Sequence, residues 1–132
     1  MNIQKNDTTT VKGKLGEDFA CEFLTRQGFA IVTRNYRKKW GEIDIIAEKS
    51  GKIYFIEVKS MFYIGKVSVS RESYRPEDNV TQAKSSKLAR IIQTYLSQYK
   101  MTHIEWYFLV ATVLINTEAR RAKVSLIEDV VF

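Results

Sequence analysis

Apolar positions recur along this chain with two periods, and the changes of period mark its elements. Over residues 11–27 Phe19, Ala20, Cys21, Phe23 and Leu24 share one arc at helical spacing. Asp18, Glu22, Thr25 and Arg26 take the opposite arc, which predicts a helix that Gly28 ends. Phe29 to Arg37 reads as a first strand. Gly41 to Glu48, rich in isoleucine, and Lys52 to Ser60, rich in β-branched and aromatic residues, read as two more strands. Asn79 to Lys100 is a second helix with Asn79 or Thr81 as its cap and an apolar stripe of Leu88, Ile91, Ile92, Tyr95, Leu96 and Tyr99. Residues 105–115 form a strand apolar on both faces. Ala122 to Ile127 form a short last strand suited to an edge, after the charged turn Glu118 to Arg121.

The order αβββαββ predicts an α/β domain with a mixed sheet flanked by helices. The third strand carries Tyr54, Ile56 and Val58 on one face and Ile53 and Phe55 on the other, as a central strand does. Residues 1–10 read as a flexible N-terminus and 11–132 as one domain. Residues 61–78 are the longest connection, either a substrate loop or a peripheral hairpin.

The second and third strands carry the candidate chemistry. Ser50-Gly51 is a two-residue turn signal, and such a turn sets Lys49 opposite Lys52. In that register, with no bulge, Asp44 faces Glu57 and Glu42 faces Lys59, all four on one side of the hairpin. Like charges directly opposite each other destabilise a strand pair. A hard divalent ion such as Mg²⁺ would satisfy Asp44 and Glu57, and Lys59 could hold or polarise an activated water. The plain alternative is an exposed strand face of mixed charge.

Other side chains look misplaced. Glu17 projects between Cys21 and Leu24 on the buried side of the first helix, so it either has a partner or is a first-turn acid favoured by the helix dipole. Lys84 lies in line with the apolar stripe of the second helix, with Lys87 at its edge, and either snorkels or reaches a charged site. Arg34, Arg37, Lys38, Lys39 and Trp40 make a basic, aromatic entrance to the hairpin, suited to phosphate contacts, with Trp40 expected to pack on the sheet. His103 stands alone and reads as a surface residue.

Composition narrows the classes. A net charge of +6, from 21 basic and 15 acidic residues, favours polyanionic partners, nucleic acid first. One cysteine and one histidine leave no zinc spacing and no internal disulfide. No apolar run is long enough to span a membrane and no signal-peptide pattern is present, so a cytoplasmic protein is expected.

Several motifs together resemble the uncharacterised YraN-like family. They are K-x-x-G-E-x-x-A (Lys12, Gly16, Glu17, Ala20), R-N-Y-R (Arg34 to Arg37), G-E-I-D (Gly41 to Asp44), E-V-K (Glu57 to Lys59) and V-T-x-x-K-x-x-K-L (Val80 to Leu88). Their order is similar to the PD-(D/E)xK nuclease superfamily, with its restriction-endonuclease-like fold, and to archaeal Holliday-junction resolvases. The resemblance implies Asp44 and Glu57 as ligands of Mg²⁺ or Mn²⁺, Lys59 orienting the nucleophilic water and Glu17 supporting the site. It also implies Lys84 near the scissile phosphate. Lys87, Arg37 and Arg34 are the further candidates for nucleic-acid contact. The expected activity is endonucleolytic cleavage of DNA, including branched structures, for which two sites and hence a homodimer would be needed. One residue departs from the pattern: Phe108 stands where the family resembles R-F-D-V-V-A and has an acid. The alternative expectation is therefore a weak or inactive nucleic-acid-binding module, or an interaction subunit of a DNA-processing assembly.

Overall fold

The structure is a computed structural model that describes residues 5–64 and 82–128, with side chains described over 13–64 and 86–128. The expected order is observed: α1 (Lys5–Arg26), β1 (Ala30–Lys38), β2 (Gly41–Lys49), β3 (Lys52–Tyr63), α2 (Gln82–Gln98), β4 (Trp106–Asn116) and β5 (Arg121–Glu128). The strands form one sheet in the order β1-β2-β3-β4-β5. All neighbours are antiparallel except β3 and β4. A parallel pair needs a crossover, and α2 lies in it. This five-stranded mixed sheet with two helices is consistent with a restriction-endonuclease-like fold.

Helix α1 starts at Lys5 rather than residue 11, so Glu17 lies well past its first turn and is not a dipole-stabilised terminal acid. Its end is a Schellman motif. Gly28 takes φ +93°, the Phe29 amide donates to the Leu24 carbonyl at 3.0 Å, and the Gly28 amide donates to Thr25 at 3.1 Å. Helix α2 closes in the same way with a lysine in the left-handed position. Lys100 has φ +56°, and the Met101 amide donates to Leu96 at 2.7 Å. Because the helix stops at Gln98, Tyr99 drops out of the expected stripe and is half exposed, tilted against Tyr95 at 4.6 Å.

The sheet is covered on both faces. Ile43, Ile46, Ile53, Phe55, Phe108 and Val110 pack against Leu88, Ile91, Ile92, Tyr95 and Leu96 of α2. On the other face Ile45, Ala47, Ile56, Leu109, Ala111, Val113 and Ile115 pack against Ala20 and Leu24 of α1. β3 lies at the centre of the sheet, as its two apolar faces predict. It runs three residues past Ser60, because its parallel pairing with β4 continues to Tyr63 opposite Asn116. The rest of the expected connection, residues 65–78, lies outside the described residues.

The Ser50-Gly51 turn has φ +52° and +76°, both positive as a type I′ hairpin requires, and it sets the predicted register. Lys49 pairs with Lys52, and the ladder runs on to Ile45 opposite Ile56. There it stops. Ile43 and Ile45 are two apart yet belong to opposite core layers, so β2 changes face across Asp44. The Asn35 position opposite it in β1 is left-handed, with φ 54°, and carries no ladder pair.

Candidate active site

The interruption at Asp44 opens a cleft between β2 and β3, reached from both helices. Its volume is about 480 Å³. Glu17 lines it from α1, Glu42 and Asp44 from β2, Glu57, Lys59 and Ser60 from β3, Lys87, Leu88 and Ile91 from α2, and Phe108 from β4. Glu17, Asp44, Glu57, Lys59 and Lys87 therefore do come together.

They do not meet as the extended hairpin ladder predicts. Among the described pairs Asp44 has no partner in β3, and Glu42 is not opposite Lys59. Glu42 pairs instead with Arg37 across β1, Nε to Oε2 at 3.1 Å and well exposed on both sides. Asp44 turns into the gap, where its Oδ2 accepts the Val58 amide at 2.8 Å. A carboxylate thus takes the place of a ladder carbonyl at the fork. Lys59 Nζ lies 3.3 Å from Glu57 Oε1, so the two side chains of the ExK motif are already an ion pair.

The electrostatics single out Asp44. Its carboxyl is pushed up to about 6, first by burial, against the lowering effect of the Val58 hydrogen bond, with Glu17, Glu57 and Glu42 adding repulsion. The proton is held more tightly in the folded state, so the ionised form is a cost that appears as pH rises.

Glu17 has the partner that burial demanded. Arg34 Nη2 lies 3.3 Å from Glu17 Oε2, and Asn35 Nδ2 donates to the same oxygen at 3.4 Å. Arg34 also holds Asp18 through Nη1 at 2.8 Å. Its guanidinium is thus committed to α1 rather than to the hairpin mouth, and neither Arg34 nor Arg37 lines the cleft. Lys84 belongs to α2, but its side chain lies outside the described residues. Trp40 packs on the α2 side of the core as expected, with Arg90 over its ring at 4.2 Å.

Two supporting residues stand in the sequence motifs without a role being read for them. Gly16 is buried against β3, where a Cβ would overlap Ser60 Oγ, so only glycine lets α1 approach closely enough to bring Glu17 to the cleft. Asn35, within R-N-Y-R, takes the left-handed conformation that asparagine often occupies, and no role was read for it from the sequence.

Among the described residues no group of three or more His, Cys, Asp or Glu side chains could hold an ion. Asp44 and Glu57 line the cleft together with Glu17 and are the carboxylates that could supply oxygen donors. Two hard oxygen donors suit a small hard cation that keeps several of its waters, and the carboxylate crowding around Asp44 is a field such a cation would relieve.

The uncharacterised protein family UPF0102 matches residues 16–125 by its family model. The chain belongs to UPF0102. A UPF0102 protein of Helicobacter hepaticus is 43% identical over 107 residues, covering 81% of this chain and 86% of its own. One of Dictyoglomus turgidum is 33% identical over 104 residues, covering 79% and 82%. This is the YraN-like membership that the motifs led us to expect. The region matched to UPF0102 begins at Gly16 and takes in every carboxylate and lysine of the cleft. Among the described residues of this UPF0102 protein no helix is long and apolar enough to cross a membrane.

Proposed function

We propose that this UPF0102 protein is a divalent-metal-dependent phosphodiesterase of the PD-(D/E)xK type that acts on DNA, branched structures included. The observation that carries the reading is Asp44: a carboxylate held at a break in the sheet, pushed up to about 6, beside an ExK ion pair in a cleft with a lysine on its wall.

Asp44 and Glu57 would hold Mg²⁺ or Mn²⁺, which when bound supplies Lewis acidity toward water and the phosphoryl oxygens. The chain's own residues do the positioning. The Val58 amide fixes the Asp44 carboxylate through Oδ2 at the cleft wall, and Oδ1 would be the oxygen available to an ion. Lys59, anchored by Glu57, directs an ammonium group to where an attacking water would be oriented. Lys87 offers a counter-charge to a phosphate entering along α2, while Leu88, Ile91 and Phe108 keep that wall apolar. Glu17 is held at the cleft wall by Arg34 and Asn35.

A second reading, a nucleic-acid-binding module of little turnover, is favoured by one observation. Phe108, where the resemblance implies an acid, is 3% exposed and belongs to the apolar core, so the cleft has no carboxylate from β4. A cleavage assay decides between them. Branched, single-stranded and duplex DNA are incubated with the protein in Mg²⁺, Mn²⁺ or chelator, beside Asp44→Ala, Glu57→Ala and Lys59→Ala. Metal-dependent cleavage that all three variants lose supports the phosphodiesterase. Salt-sensitive binding with no cleavage supports the module.

A further inference from the structure

Some of the described basic residues are held by carboxylates and others are not. Arg26, Arg34, Arg37, Lys52 and Lys59 are each paired with a carboxylate. Those around the β1–β2 turn and the outer face of α2 have no carboxylate partner among the described residues. Lys38 lies over the Tyr36 ring at 5.4 Å, and Arg90 lies over the Trp40 ring at 4.2 Å. Lys38, Trp40, Arg90, Gln93, Ser97 and Gln98 line a shallow open groove there. The sequence explains the absence of acids: none occurs between Asp78 and Glu105, so α2 is wholly basic and neutral.

The groove lies beside the cleft. Trp40 in its wall is followed by Gly41 in the cleft, and Arg90 in its wall is one turn beyond Lys87 in the cleft. Lys87, Arg90 and Ser97, at helical spacings of three and seven, form one stripe about 15 Å long at the usual rise. That length matches about four steps of one duplex strand at roughly 3.4 Å each.

We propose that this groove binds the sugar–phosphate backbone of duplex DNA flanking the cleft, with Arg90 and Lys38 as the phosphate contacts. The proposal rests on the phosphodiesterase reading for its substrate. Charge complementarity selects a polyanion. The groove lining favours the duplex backbone over unpaired bases: its aromatic side chain is Trp40, and Arg90 covers that ring, so a base cannot stack upon it there. The same stack holds the guanidinium flat and lowers the entropy lost on gripping a phosphate.

The test is binding by fluorescence anisotropy in chelator, where no cleavage intervenes, across about 50 to 200 mM salt. The probes are a short blunt duplex and a single strand of the same sequence. The proteins are the parent, Arg90→Gln, Lys38→Gln and the double variant, with thermal melts beside them. The expected result is tighter binding of the duplex by the parent, lost several-fold in each single variant. The log–log salt slope should flatten by about 0.9 per lost contact. Should Arg90→Gln melt early, Lys38→Gln decides, because Lys38 is itself exposed and lies over the Tyr36 ring from the solvent side of the core. Unchanged duplex affinity and slope in Lys38→Gln and the double variant would overturn the proposal, as would a parent that prefers the single strand. Arg90-dependent duplex binding in a parent that never cleaves DNA in Mg²⁺ upholds this groove and removes the phosphodiesterase. Metal-dependent cleavage with no effect of the variants on binding does the reverse.

Discussion

The Val58 amide donates to Asp44 Oδ2 at 2.8 Å, just past the point where β2 and β3 stop pairing. The side chain of one strand thus satisfies the backbone of the next, and the sheet opens without leaving that amide unpaired. The same bond holds a carboxylate among Glu17, Glu57 and Glu42. The chemistry of the cleft and the ending of the ladder share one cause.

Arg34 provides a test of how Glu17 is held. The pair is only partly exposed, 32% for the arginine side chain and 16% for the glutamate. Arg34→Met leaves a largely covered carboxylate without its cation and should cost about 1–3 kcal/mol. Glu17→Gln added to it should recover part of that loss, because the amide needs no counter-charge. Denaturant titrations of the two single variants and the double variant give the coupling. Additive losses would show that the ion pair does not hold Glu17. DNA affinity should change little in Arg34→Met, since the guanidinium is committed to α1.

Gly16 tests the approach of α1. A Cβ there would overlap Ser60 Oγ and meet Ser60 Cβ at 3.0 Å. The hydroxyl can rotate, but the second contact stays tight, so Gly16→Ala should destabilise by about 1–3 kcal/mol, as overpacking does. Ser60→Ala removes the closer atom and should lower that penalty. An alanine at 16 that costs the same with and without the Ser60 hydroxyl would remove the close contact as the reason for the glycine.

How much of this was legible in the chain follows from what each signal can encode. Ser50-Gly51 set the hairpin register correctly to Ile45 opposite Ile56, because the left-handed turn is written in local residue types. The change of face at Asp44 is not. Ile43 and Ile45 are both isoleucines, equally at home in either layer, so alternation carried Glu42 and Lys59 into a pairing that does not exist. Arg34 looked like part of a basic mouth because its partners lie 16 and 17 residues away on another element, beyond any periodicity. The start of α1 was missed for a similar reason. Lys5 to Thr10 is polar throughout and shows no apolar arc, yet it is helical. Glu17 and Lys87, by contrast, were marked by apolar neighbours, and both line the cleft.

The two candidate contacts nearest the hairpin should behave differently. Arg37 is tied to Glu42 at 3.1 Å and lies outside the cleft, whereas Lys87 lines it. Lys87→Gln should therefore weaken DNA binding and flatten its salt slope by about 0.9, while Arg37→Gln should do less. Equal losses in both, measured by anisotropy at matched salt, would place the DNA across the outer hairpin instead.

The last prediction concerns the cost of Asp44 itself. Its carboxyl sits at about 6 in the folded protein against an ordinary 3.8. The folded state therefore binds the proton more tightly than the unfolded state. Stability falls as pH rises through that window and stays lowered above it. A rise of that size corresponds to about 3 kcal/mol, an upper figure for a group that keeps some solvent contact. Asp44→Asn removes the ionisation and keeps an oxygen to accept the Val58 amide. At pH 7.5 in chelator the variant should match or exceed the parent, by as much as several degrees in melting temperature. Below about pH 4 that advantage should vanish, because the parent is then protonated in both states. Millimolar Mg²⁺ at matched ionic strength should raise the parent's melting temperature at pH 7.5, because an ion bound only by the folded state stabilises it by mass action. It should do little for Asp44→Asn. The parent's gain should shrink at pH 5, where protons compete for the same carboxylate. Five melts per protein, with and without metal at pH 7.5 and pH 5 and in chelator alone below about pH 4, contain the whole pattern. A variant clearly less stable than the parent in chelator at pH 7.5, with no metal shift in either, would make Asp44 a hydrogen-bond acceptor for Val58 and nothing more.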